Sequence, residues 1–223
     1  MGKRLSICIT IGYFLAGYTP SAQAVPPSVK IEKIQTSKVQ VQAPNGERGA
    51  AMAQLPDGRL LLGGGKNGSD LFIFDREQNS LENLGRVIRS SERINDSRFA
   101  ITDVAVLDVK DESASLLISF PILSKSKSCV SLVLFRYTAK LTKPFEVVRG
   151  KEWFRSSPCV PVSAVQHAAG RIEVIDSKSA YLTTGDLGYR KINERERRGT
   201  LGSIYKVSAS GATRISQGHR NPQ

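Results

Sequence analysis

Histidine is scarce in this chain. Two stand among 223 residues, His167 and His219, beside three cysteines, two methionines and one tryptophan. Two isolated histidines give no Cys/His cluster with metal spacing, which excludes a zinc site of the usual kind. Long apolar runs are missing too. The only extended one, Leu5 to Gly17, is shorter than the ~20 residues a spanning helix needs, and no cysteine follows it, so neither a membrane anchor nor a lipid anchor is expected. Acidic residues are in deficit, 20 Asp and Glu against 32 Lys and Arg, for a formal charge of +12. The basic residues are scattered, with no helix or aromatic-interleaved stripe to collect them. That argues for a generally basic exported protein and against a nucleic-acid binder.

The N-terminus reads as a secretory signal: Lys3 and Arg4, the apolar run, then Ala22-Gln23-Ala24, with cleavage expected after Ala24. Loss of Lys3 and Arg4 takes the charge from +12 to +10. Export to the periplasm or medium follows, an oxidising setting in which Cys129 and Cys159, 30 positions apart, pair as a disulfide or remain buried thiols. Residues 25–38, with paired prolines, are an extended lead-in.

From residue 39 a pattern repeats. The segment 52–65 (MAQLPDGRLLLGGG) reads as strand, Pro-Asp-Gly turn, strand, and two further strands follow it. The same order returns at 101–120 and at 171–186, each with its own following strands. The second strands centre on Leu62, Leu117 and Leu182, at intervals of 55 and 65 residues. Four short strands per unit at such a period predict an all-β fold, a β-propeller with about three blades; a β-sandwich is the alternative. Closed rings need ~4 to 8 blades. Three therefore imply the N-terminal part of a longer protein, or copies that associate to close the circle. The open inter-blade faces, including the SIYKV segment at 203–207, are expected to stay exposed and to favour self-association.

Up-and-down strands put the connections between units and the second-to-third-strand loops at one end of the sheets. His167, Asp186, Arg220 and Asn221 all fall in such segments. Asp57 and Lys178, in first-to-second-strand turns, belong at the other end. A histidine oriented by a carboxylate is a general base, and an arginine offers a planar cation to an anionic or quinone-like oxygen. Gly63-Gly64-Gly65 leads into another strand, so it is no dinucleotide loop. The insertion 189–199 reads as a charge-rich surface loop that could also rim a substrate mouth.

At His167-Ala168-Ala169-Gly170-Arg171, Gly185-Asp186-Leu187-Gly188 and Gly218-His219-Arg220-Asn221-Pro222-Gln223, the chain resembles the soluble quinoprotein glucose and aldose sugar dehydrogenases of the glucose/sorbosone dehydrogenase family. The resemblance covers 165–223 and, before that, only the LPDGRLLL turn. It implies a six-bladed propeller that uses pyrroloquinoline quinone to oxidise an aldose sugar at its anomeric carbon and passes electrons to an external acceptor. His167 would be the general base, Asp186 its support, and Arg220 and Asn221 quinone contacts. The family's calcium segment follows GHRNPQ, so no calcium ligand is expected within this chain, and activity of this stretch alone is in question. The alternative is a non-catalytic exported propeller that binds a ligand or protein partner at the same end.

Overall fold

The chain divides into two units, Met1–Gln35 and Thr36–Gln223. The computed structural model describes residues 39–43, 46–48, 50–164 and 166–222, all in the second unit. The expected signal peptide (1–24) and lead-in (25–38) lie outside the described residues.

Three antiparallel sheets carry the fold, each built from four consecutive strands. The first holds β3 (Ala51–Gln54), β4 (Leu60–Gly64), β5 (Asp70–Asp75) and β6 (Ser80–Arg86); before it, β1 (Val41–Ala43) and β2 (Gly46–Arg48) form a separate hairpin. The second holds β7 (Asp103–Lys110), β8 (Ser113–Ser124), β9 (Cys129–Lys140) and β10 (Glu146–Arg155). A short β11 (Val160–Pro161) extends its outer edge by pairing with β9 at Val130 and Cys129. The third holds β12 (Ala169–Asp176), β13 (Ser179–Thr184), β14 (Ser203–Ser208) and β15 (Gly211–Gln217). The leading strands meet: β7 lies against both β3 and β12. Sheets that meet along their first strands and fan outward are blades, and the arrangement is an open, partial β-propeller. The β1–β2 hairpin and β11 are additions that the repeat did not indicate.

Burial explains why the strands differ in sequence. The middle sheet is covered on both sides, so β8 and β9 run almost continuously apolar rather than alternating. Leu116, Ile118, Phe120, Val133, Phe135 and Tyr137 pack against Leu61, Leu71, Ile73 and Leu84 of the first sheet. Leu117, Leu134, Trp153 and Phe154 pack the other way, against Ile172, Ala180, Leu182, Tyr205 and Val207 of the third. Each fully buried leucine of this kind contributes about 1.5–3 kcal/mol. The third sheet alternates because its far face meets solvent: Tyr181 stands between Glu173 and Lys206 in one cross-strand row. This corrects the expectation for 203–207. Tyr205 and Val207 are buried against the middle sheet, and only the alternate positions Ile204 and Lys206 face outward.

One ionic contact sits in the seam between the first two sheets. Arg149 of β10 donates to both oxygens of Glu92, at 2.6 and 2.8 Å, to the Val87 carbonyl at 2.6 Å and to the Tyr137 hydroxyl at 2.8 Å. Its guanidinium lies 4.7 Å from the Phe135 ring centre and 5.5 Å from that of Phe120. Burial raises the Glu92 carboxyl, but the Arg149 hydrogen bonds, the Arg89 amide and the Arg149 charge outweigh it and hold the group below its usual range. Burial also pushes the Tyr137 hydroxyl up to about 12.

Loop chemistry separates the two ends of the sheets. At one, the Pro56-Asp57-Gly58 turn closes with Gly58 at φ +89° donating to the Leu55 carbonyl, and Asp57 caps the Arg59 amide. Lys178 occupies the equivalent turn of the third sheet. At the opposite end a third apolar cluster, Phe99, Val130, Val160, Leu187 and Leu201, holds the long connections together. A disulfide between Cys129 and Cys159, with α-carbons 5.5 Å apart, fastens the segment after β10 to the start of β9 on that side.

Candidate functional site

The chain bends sharply into β12. His167, Ala169 and Gly170 have φ values of +46°, +55° and +83°, so two residues with side chains occupy backbone space that ordinarily favours glycine. The surroundings hold them there. Gly185 donates to the Ala168 carbonyl at 3.1 Å, and Ser119 Oγ donates to the Gly170 carbonyl. A β-carbon at Gly185 would collide with the His167 carbonyl oxygen, so the Gly-Asp turn after β13 and the bend before β12 approach backbone to backbone.

That approach sets the side chains. His167 Nδ1 lies 3.1 Å from Asp186 Oδ1, which also accepts from the Gly188 amide at 2.8 Å. Asp186 is 8% exposed. An ionised carboxylate only accepts, so Nδ1 carries the hydrogen and Nε2 presents its lone pair. Arg220 arrives from after β15: its carbonyl accepts from the Asp186 amide at 2.8 Å, and its Nε lies 3.7 Å from Asp186 Oδ2. The Arg220 side chain is otherwise 78% exposed. The structure thus brings His167, Asp186 and Arg220 together at one end, away from Asp57 and Lys178. Asn221 is exposed and stands next to Arg220 in the chain without joining these contacts.

Beside Asp186 opens a cavity of about 310 Å³, lined by Asp186, Ile192, Asn193, Arg198, His219 and Arg220 together with backbone of Gly202 and Gly218. Ile192, Asn193 and Arg198 belong to the charged insertion, so this segment walls a cavity as well as meeting solvent. His219 Nε2 lies 2.8 Å from Ser216 Oγ. No group of three or more His, Cys, Asp or Glu that could hold a metal ion occurs among the described residues.

Asp103, at the start of β7, is a residue the sequence reading passed over. Its carboxylate accepts from the Ile172 amide at 2.8 Å and the Val104 amide at 3.0 Å, with Arg171 Nη1 at 3.5 Å, and so clamps the leading strand of the middle sheet to that of the third. Burial raises its carboxyl above the usual range, against the opposing pull of those partners. Its signal was in the chain: Asp103 opens the first strand of its unit, and His167 stands just ahead of the first strand of the next.

Fold and site together define an open β-propeller with a carboxylate-oriented histidine and a cation-lined cavity at one end of its blades. Comparison with known proteins agrees on the fold. The structure is similar to a crystal structure of the soluble aldose sugar dehydrogenase from Escherichia coli in its apo-form, with a TM-score of 0.54 and 15% sequence identity over 73% of this chain and 44% of that one. This chain therefore spans less than half the length of the protein it resembles, and at this identity the likeness is one of fold. No family model matches the sequence, and no curated protein matches it. Among the described residues no helix is long and apolar enough to cross a membrane.

Proposed function

We propose that this chain carries the base-bearing part of an exported pyrroloquinoline-quinone-dependent sugar dehydrogenase that oxidises an aldose at its anomeric carbon. The observation that supports it is the 3.1 Å contact between His167 Nδ1 and a buried Asp186 whose second oxygen faces Arg220. The fold resembles that of part of a protein named as an aldose sugar dehydrogenase, and the resemblance in 165–223 would give His167 the role of base, Asp186 its support and Arg220 a quinone contact.

The residues present suit a planar, carboxylate-bearing quinone. Arg220 is largely exposed, and its one charged contact is loose, so its donors are available; Asn221 follows it and would add an amide. When bound, the quinone supplies a two-electron acceptor for the hydride that leaves the anomeric carbon. His167 Nε2 accepts the proton of the anomeric hydroxyl, so that loss of hydride and proton converts the cyclic aldose to its lactone. Asp186 holds the tautomer that makes Nε2 basic and stabilises the imidazolium that forms. No step is assigned to a metal.

The test is sugar-dependent dye reduction by the purified protein supplied with pyrroloquinoline quinone and calcium. Activity should fall about 100- to 10,000-fold in His167→Ala, the range a positioned general base supplies. Turnover indifferent to His167, or a protein that neither turns over nor binds the quinone, would leave the ligand-binding propeller as the better reading.

A further inference from the structure

A second cavity, of about 660 Å³, adjoins the His167–Asp186 pair and shares no lining residue with the first. Gln166 lines it one position ahead of His167, and Gly188, whose amide donates to Asp186 Oδ1, lines it two positions after Asp186. Its walls come from two segments. One is β11 and the single turn that follows it, Val162–Ala164, from which Pro161 and Ser163 face the space. The other is the start of the charged insertion, which supplies Arg190 and Lys191.

Both walls rest on the same apolar cluster. Val160 and Leu187 are fully buried in it, and Val162 and Tyr189 pack against it, so the residues between them are left to line the cavity. The first wall is fastened by the pairing of β11 with β9 and by the Cys129–Cys159 disulfide beside it. In the second, the Tyr189 amide donates to the Asp186 carbonyl at 2.9 Å and the Ile192 amide to the Tyr189 carbonyl at 3.1 Å. Walls held in this way need little ordering when a ligand arrives.

The lining carries two cations and no carboxylate. Neither Arg190 nor Lys191 is in an ion pair among the described residues. The acids that flank them in the chain are engaged elsewhere, Asp186 with His167 and Arg220, and Glu194 with Arg197 at 3.0 Å. Both cations are exposed, so an anion that reaches them has only water to displace. The Ser163 hydroxyl and the Gln166 amide add neutral donors and acceptors, and Tyr189 adds an aromatic face with a polar tip. Hydroxyl-matching groups, a ring and a pair of cations together suit a sugar that bears an acidic substituent.

We propose that this second cavity holds an anionic sugar unit, with Arg190 and Lys191 on its acidic group, and that the unit is linked to the aldose whose anomeric carbon His167 addresses. The volume falls in the range of small-molecule sites. The place of the unit in the substrate rests on the oxidation reading above; the binding of an anionic sugar does not. The acidic group has two sources, a carboxylate or a phosphate ester, and the experiment separates them.

Calorimetric titration of the purified protein compares three disaccharides with the same reducing-end glucose: cellobiose, cellobiouronic acid, and cellobiose phosphorylated on its non-reducing unit. At least one anionic disaccharide should bind about 10-fold tighter than cellobiose, the gain expected from two exposed charge contacts, and the margin should narrow as salt is raised. The one that carries the margin names the acidic group. Arg190→Gln combined with Lys191→Gln should bring the margin to within about twofold and leave cellobiose binding unchanged. Arg195→Gln combined with Lys206→Gln removes the same charge from exposed positions outside the cavity and should keep the margin. Equal binding of the three sugars, binding of none, a margin that survives loss of Arg190 and Lys191, or one that falls equally in the control pair overturns the proposal. Dye reduction with quinone and calcium then tests the link to the aldose. A lower KM for the anionic sugar at unchanged kcat upholds both readings. A binding margin without turnover upholds the anionic-sugar site and overturns the oxidation, whereas turnover with one KM for all three sugars upholds the oxidation and overturns the site's part in it.

Discussion

Arg149 and Arg198 are two arginines in the same β framework with opposite surroundings. Arg149 lies between the first two sheets with Glu92, Val87 and Tyr137 as acceptors and two aromatic rings against its guanidinium. Arg198 lies at the blade ends beside a cavity, with Nε buried and unpartnered. A cation inside a seam must be satisfied by the chain itself, because an uncompensated buried charge costs several kcal/mol. The contrast separates a cation that ties two sheets together from one whose Nε is left without a partner.

The largest effect should come from breaking the satisfied arginine. Glu92→Ala strips Arg149 of its counter-charge and is expected to cost about 3–5 kcal/mol, roughly 10 °C in thermal melting for a chain of this size. A melt within 2 °C of wild type would mean that water reaches the seam and that the contrast with Arg198 is one of degree. Cys159→Ser comes next. Opening a loop of 30 residues' separation should cost about 3–4 kcal/mol by chain entropy. The loss should disappear when wild type and variant are both melted under reducing conditions.

Acid sharpens the same comparison at lower amplitude. The Glu92 carboxyl is held below its usual range in the folded protein. Its contribution is therefore complete above its unfolded value, about 4.3, and is lost as pH falls through the lower folded value. Asp103 runs the other way. Its raised carboxyl favours the fold below the unfolded value of about 3.9, and that contribution is lost as pH rises through the folded one. Melting of wild type against Glu92→Gln between about pH 2.5 and 6 should show a shallower acid limb in the variant; parallel curves would remove Glu92 as its source. The smallest effect belongs to the rim: Arg198→Gln should leave stability within about 0.5 kcal/mol of wild type, because it removes no contact made within the fold. A clear loss of stability would make Arg198 a structural residue.

Much of this organisation was legible in the chain. The strand–turn–strand order that recurs at 52–65, 101–120 and 171–186, with the Pro-Asp-Gly turn and the intervals of 55 and 65 residues, predicts the blades. The clustering of His167, Asp186 and Arg220 needed only the up-and-down order of strands. Arg198 was harder to place, because its position depends on Thr200 meeting Ser157, 43 residues away, and on Arg214 holding Gly199. Spacing alone left Cys129 and Cys159 open between a disulfide and two thiols. The pairing of β11 with β9 is what brings them side by side.

The near-contact of Gly185 with the His167 carbonyl has a consequence for how this protein can vary. Because the obstacle to a side chain at 185 is main chain, no repacking of neighbouring side chains can relieve it. In a library that samples every amino acid at every position, column 185 should be blank except for glycine. Survivors at 185, if any, should carry second changes in the 167–170 bend. The two segments, 15 residues apart along the chain from Gly170 to Gly185, would then drift through sequence space as one inherited unit.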